Sequence, residues 1–277
     1  MIKILLDSAS DANINNAECD YIVPIRVNFG DEEYRAGVDL DSDTFYQKLT
    51  SESVFPQTSQ PSPVEFEEIF SKVKQDGDEL IYLAVSSQCS GTYQCAMLAK
   101  SNVDYDGIYI VDTLNVTHAI GLLAYHAKNL IEKGFTAAEI AEECKTLSAR
   151  VRIIAGVDTL EYLRRGGRLS TVSAAVGEVV KLKPVIAINE HGRVDSLAKC
   201  LGRAKAVKFV SEWTVKNQPD ENFPIWSLYT YGEENCEFLE NTLKAQGIMV
   251  AHRKQIGPTI GTHCGPGVYG VVFIAKE

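Results

Sequence analysis

Strand-like and helix-like runs alternate along most of these 277 residues, and that alternation limits the fold more than any other feature. Ile2 to Leu6, Leu80 to Val85 and Ile108 to Val111 are mostly apolar runs, each a predicted strand. Longer segments with helical periodicity separate the later ones. Such a chain buries its strands between helices in a largely parallel sheet. Helix starts are written plainly. Ser62, Pro63 and Glu65 predict an N-cap, a first-turn proline and a capping box, with Phe66, Ile69, Phe70 and Val73 on one buried face. Thr136 and Glu139 predict a second capping box, opening a helix to about Ala149. A long helix is expected from about Leu114 to Glu132, closed by Gly134.

Other elements read less simply. Tyr21 to Phe29 and Glu33 to Val38 predict a hairpin around Gly30-Asp31, and Ser42 is the expected cap of a short helix over Thr44 to Leu49. Pro56 to Pro63 is extended, because proline pushes its predecessor out of the helical region. Arg152 to Val157 is a strand. From Leu160 the texture becomes basic and glycine-punctuated, with a helix expected through Val180. A hairpin over Pro184 to Ile188 and Arg193 to Ala198 follows, then helix Arg203 to Val215, strand Ile225 to Tyr229, helix Glu233 to Ala245 and strand Ile248 to Gln255. Gly257 to Gly270 reads as a glycine-rich loop before a final strand, Val271 to Ala275. The change of texture places a domain boundary near 160, giving α/β domains at 1–160 and 161–277.

Composition excludes several functions. Twenty-seven Lys and Arg against 37 Asp and Glu leave a net charge of −10, a field that disfavours nucleic acid and anionic membrane as main partners. No apolar run approaches the roughly 18 to 20 residues of a membrane span. The opening Met1-Ile2-Lys3 lacks the basic lead and apolar length of a signal peptide, so a cytoplasmic protein is expected. Seven scattered cysteines without a C-x-x-C pair read as reduced thiols. The five histidines have no zinc spacing, and there is no P-loop, so neither a metal nor a nucleotide cofactor is expected. Gly265 to Gly270 matches G-x-G-x-x-G but precedes a strand rather than a helix, which defeats a dinucleotide reading.

What remains is a set of polar loops. Ser90-Gly91 stands between a strand and a helix, where backbone N–H groups and a hydroxyl favour an anion. Thr58 and Ser59 precede another helix start, and loops after strands meet at one crevice in open α/β sheets. Between 161 and 208 there are ten Lys or Arg against four Asp or Glu, a basic region from which Arg168 is expected to face the anion. His263 lies among glycines that permit close approach. Ser90 with His263 as base also allows a serine hydrolase of acyl esters, although Gln88 and Thr92 replace the glycines of a nucleophile elbow. A phosphotransfer protein, with phosphate carried on His263, is a third possibility.

As an ordered set, Thr58-Ser59-Gln60-Pro61-Ser62, Ser86-Ser87 with Ser90-Gly91-Thr92-Tyr93-Gln94, Leu160-Glu161-Tyr162-Leu163 with Gly167-Arg168-Leu169, Lys183-Pro184, and Gly257-Pro258 through Gly261-Thr262-His263 and Gly265-Pro266-Gly267 resemble the DegV family. The resemblance implies two α/β domains, the first a mostly parallel sheet with helices on both faces, the second a mixed sheet with helices. One long-chain, palmitate-like fatty acid would lie between them as ligand. It further implies a non-catalytic role in lipid transport or fatty acid metabolism, as the subunit that presents an acyl carboxylate to a separate ATP-dependent kinase. Carried over by motif, Thr58 and Ser90 hold the carboxylate, with Ser59, Gly91, His263 and Arg168 around it, and Arg203 serves kinase docking. Cys89, Cys264 and Tyr269 depart from the family's usual residues without removing a polar contact.

Overall fold

The computed structural model describes residues 1–12, 19–169 and 182–277. Its first sheet is entirely parallel, in the order β2 (Tyr21–Val23), β1 (Ile2–Asp7), β6 (Glu79–Ala84), β7 (Ile108–Asp112). Helices α2 (Pro63–Asp76) and α3 (Thr92–Val103) cover one face, where Phe66, Phe70 and Val73 bury against Leu5, Leu80 and Tyr82. The other face carries α4 (His118–Glu132) and α5 (Ala137–Ser148). Both predicted capping boxes are present, at Ser62 with Glu65 and at Thr136 with Glu139.

The second sheet is mixed. Its order is β10 (Val194–Leu201), β9 (Leu182–Ile188), β8 (Val151–Gly156), β13 (Tyr269–Ile274), β11 (Trp226–Tyr229), β12 (His252–Gln255), antiparallel except for the β11–β12 pair. Helices α7 (Arg203–Lys216) and α8 (Glu234–Ala245) cover its outer face. Its inner face sends Ile153, Ala155, Leu228, Val272 and Ile274 into one core with α4. That position explains why α4 is apolar nearly all round: Ala119, Ile120, Leu122, Leu123, Ala124 and Ala127 are all buried between the two sheets.

A third, antiparallel sheet of β4 (Glu32–Arg35), β3 (Arg26–Phe29) and β5 (Gln57–Ser59) stands at the end of the seam between the large sheets. Helices α1 (Ser42–Ser51) and α9 (Pro258–Cys264) pack on one another and on this region, and α6 (Glu161–Arg165) lies against α9.

Several expectations need correction. Tyr21 to Phe29 is two strands in two sheets, divided at Pro24, which has no N–H to continue a ladder. The cap of α1 is Asp41, whose carboxylate accepts from the Thr44 amide at 2.8 Å, rather than Ser42. Leu114 and Thr117 have φ of 50° and 54°, so α4 begins only at His118. The glycine-rich segment contains a helix, α9, with Pro258 at its start and Gly265, φ 74°, at its end. The helix expected through Val180 lies outside the described residues. Strand β8 precedes residue 160 yet pairs with β9 and β13 in the second sheet.

Candidate functional site

A cavity of about 380 Å³ lies between the large sheets, a size suited to a drug-sized ligand. Ile25, Val85, Ile153, Ala155, Ile186, Leu228, Ile256 and Val268 supply much of its apolar wall. Thr58, Ser59, Gln60, Ser90, Arg168 and His263 also line it. Among the described residues, Arg168 is the only charged one on the wall.

Each polar residue is placed by local chemistry. Thr58 sits on β5, paired in register with Val27 of β3. The segment after it is pinned by Glu65, which accepts from the Ser62 amide at 2.9 Å and from Arg26 Nη2 at 2.7 Å. Ser90 ends a tight loop after β6, where the Cys89 and Ser90 amides donate to the Ser86 carbonyl at 3.0 and 3.1 Å. The turn between β9 and β10 reaches across the seam to this loop: Ser86 Oγ donates to the Gly192 carbonyl at 2.8 Å, and Arg193 holds Gln88 Oε1. A Cβ at Gly192 would sit 2.4 Å from Ser86 Oγ, so only glycine fits.

His263, on α9, pairs through Nε2 with Thr58 Oγ1 at 2.8 Å. Burial, reinforced by the Arg168 charge, lowers its pKa to about 4, so the ring is neutral at pH 7 and carries one N–H. Nδ1 is buried without a partner, wedged against Gly166, where a Cβ would lie 2.2 Å away. The Thr58 hydroxyl and His263 Nε2 thus share one hydrogen bond, whose donor is set by the ring tautomer. Ser90 Oγ lies 2.8 Å from Thr92 Oγ1 and accepts from the Thr92 amide at 3.3 Å.

The remaining residues take distinct places. Arg168 Nε donates to the Cys89 carbonyl at 3.1 Å, bridging the Ser90 loop toward His263. Ser59 faces Asn28, at 3.5 Å. Gly91 caps α3 beneath the side chain of Gln60, whose Oε1 would be 2.0 Å from a Cβ there. Gln60 thus lines the cavity beside Gly91 without having been singled out as a site residue; its signal in the sequence was its place in the Thr58–Ser62 motif. Arg203 is exposed at the start of α7. Burial raises the thiol pKa of Cys89 and Cys264, so both stay protonated at neutral pH. No group of three or more metal-ligating side chains occurs among the described residues.

A family model described as "Uncharacterised protein, DegV family" matches residues 1–276. The chain belongs to the DegV family. A DegV domain-containing protein of Caldanaerobacter subterraneus is 33% identical over 279 residues, covering 99% of each chain. A fatty-acid-binding DegV protein of Thermus thermophilus superposes with a TM-score of 0.88 at 28% identity, over 99% of both chains. A stearic acid-binding protein from Eubacterium ventriosum gives 0.88 at 27% identity, over 100% of this chain and 99% of that one. The DegV fold therefore extends over the whole chain, and no described helix is long and apolar enough to cross a membrane.

Proposed function

We propose that this DegV-family protein binds a long-chain, palmitate-like fatty acid, its tail between the sheets and its carboxylate held by Thr58 and Ser90. The observation carrying this reading is the composition of the cavity: the hydroxyls of Thr58 and Ser90, the His263 ring and one guanidinium line it with a largely apolar wall. Two further hydroxyls on the wall, Thr117 and Thr259, are bound to Asp11 and Ser8. Arg168 and His263 support the head from the side. A tail of about fifteen methylenes at roughly 0.8 kcal/mol each contributes a gross term of about 12 kcal/mol. The hydroxyls therefore fix orientation more than affinity. The bound fatty acids of related DegV structures support the same ligand class.

The protein then presents the carboxylate to a separate ATP-dependent kinase. Ser59, Gln60, Gln88 and Arg168 are exposed around the head while the apolar wall is buried, which suits a reaction done from outside. Arg203 belongs to the docking face in this reading: Arg203→Ala should leave lipid affinity unchanged and raise the concentration that half-saturates the kinase. A hydrolase is less well supported, since His263 is engaged with Thr58 and Ser90 with Thr92.

Native mass spectrometry of protein purified from cells tests the main claim. A bound mass equal to a C16 to C18 fatty acid is expected. Lipid-free protein that also fails to bind added palmitate would end the proposal, and labelling of Ser90 by a fluorophosphonate would favour the hydrolase.

A further inference from the structure

Asp11 is a wholly buried carboxyl that the binding site does not touch. It lies where three parts of the molecule meet. Its Oδ2 accepts from Thr117 Oγ1, immediately before α4, and stands 3.7 Å from His118 Nε2. Its Oδ1 is packed on Gly257, the cap of α9, so closely that a Cβ there would be 3.0 Å away. That oxygen is buried and makes no hydrogen bond, so its contact with the start of α9 is one of close packing. His118 in turn meets the Gln255 carbonyl at 2.8 Å, two residues before that cap.

Two strained residues frame the contact. Asp11 has φ 61°, and Thr117 has φ 54° with ψ −153°, a region other residues normally leave to glycine. Such a conformation persists only where its surroundings over-determine it. Here they do: the Thr117 amide donates to the Ala9 carbonyl at 2.6 Å while its hydroxyl is spent on Asp11. Thr117 and Ala9 both line the cavity. Ser8 completes the segment, with its Oγ 2.9 Å from Thr259 Oγ1 on α9 and accepting from the Ile25 amide at 2.8 Å. Helix α9 is thereby tied at its start to the end of β1, and it carries His263 at its other end.

We propose that Asp11 is a positioning residue for the acid-binding site, fixing the heads of α4 and α9 on the first strand and so holding His263 against Thr58. The inference rests on the fatty-acid reading for its ligand and on geometry alone for its mechanism. Burial pushes the Asp11 pKa up to about 7, which fits a carboxyl retained at a costly place for its contacts.

The test compares Asp11→Asn and Thr117→Val with the wild type and with Thr136→Ala, a capping variant on α5 away from the cavity that lowers stability only. Affinity is read by displacement of a fluorescent C16 fatty acid with palmitate, and the Thr58–His263 bond by the ring nitrogen NMR shifts of His263. Both test variants should bind about tenfold more weakly and move the His263 signals. Thr117→Ser should restore both, and Thr136→Ala should change neither. If either test variant folds with wild-type affinity and unmoved His263 signals, the proposal is overturned. Should Asp11→Asn fail to fold, Thr117→Val decides. A wild type that binds no fatty acid ends the ligand reading, and the His263 signals still judge Asp11.

Discussion

At the residue scale the decisive feature is a pair of hydroxyls on one cavity wall. Thr58 bonds His263 and Ser90 bonds Thr92, and a hydroxyl with one donor and two acceptor sites keeps capacity for a ligand beside such a partner. A carboxylate, which only accepts, suits hydroxyl donors with a guanidinium nearby. A charge-assisted hydrogen bond contributes about 1.5 to 3 kcal/mol. Thr58→Val or Ser90→Ala should therefore weaken palmitate binding at least tenfold in a displacement titration, and wild-type affinity in both would remove the hydroxyls from the site. The histidines bring a pH dependence. Burial holds His118 and His263 near 4, so the folded protein binds fewer protons than the unfolded chain between about 4 and 6.5. Stability from both is full above 6.5 and falls as pH drops through that window. Asp11, raised to about 7, acts oppositely and loses its contribution as pH rises toward that value. His263→Gln should flatten the acid limb of a melting-temperature profile; an unchanged limb would exclude His263 as a source. Thr58 and Ser90, hydroxyls beside helix starts, and His263, a histidine among glycines, were singled out in the sequence, and all three line the cavity. The packing of the His263 ring on Gly166 could not be read there, since the two lie nearly a hundred positions apart.

At the scale of elements, α9 shows why glycine-rich sequence is not the same as loop. Gly261 is where α9 meets α1: a Cβ there would stand 2.5 Å from Tyr46 Oη and 2.7 Å from Phe45 Cε1. The glycine serves close helix packing, not backbone flexibility. Gly261→Ala should cost about 1 to 3 kcal/mol by overpacking, seen as a lower melting temperature. It should also weaken fatty-acid binding as α9 carries His263 outward, and unchanged binding would show that α9 has slack. The capping boxes of α2 and α5 were readable because an N-cap uses residues three apart in the chain. The split of Tyr21 to Phe29 between two sheets was not, because a strand's partner is chosen by the whole fold. Pro24 was the one local sign.

At the scale of the whole molecule, two sheets share α4 and one cavity. Under the proposed function, burying an alkyl tail in this space gives most of the affinity and the wall sets which chains fit. Ala155 lies on the inner face of β8 and lines the cavity. Ala155→Leu should fill part of the tail space and shift preference toward shorter acyl chains without unfolding the protein. Equal affinity for C12 to C18 acids in wild type and variant would place the tail elsewhere. The basic region around 161 to 208 and an otherwise acidic surface also belong to this scale, since a field steers a partner only as a sum over many charges.

The sequence by itself determined the α/β class, most helix boundaries and the identity of the polar loops, because capping, periodicity and turn chemistry act over a few residues. The tertiary structure decided how Ser90, Thr58, Arg168 and His263 come to line one cavity, that β8 joins the second sheet, and that Asp11 packs against the start of α9. Those are contacts between residues far apart in the chain, and local propensity carries no information about them. An apolar residue on a tunnel wall and one in a core obey the same hydrophobic rule, and only their positions in space distinguish them.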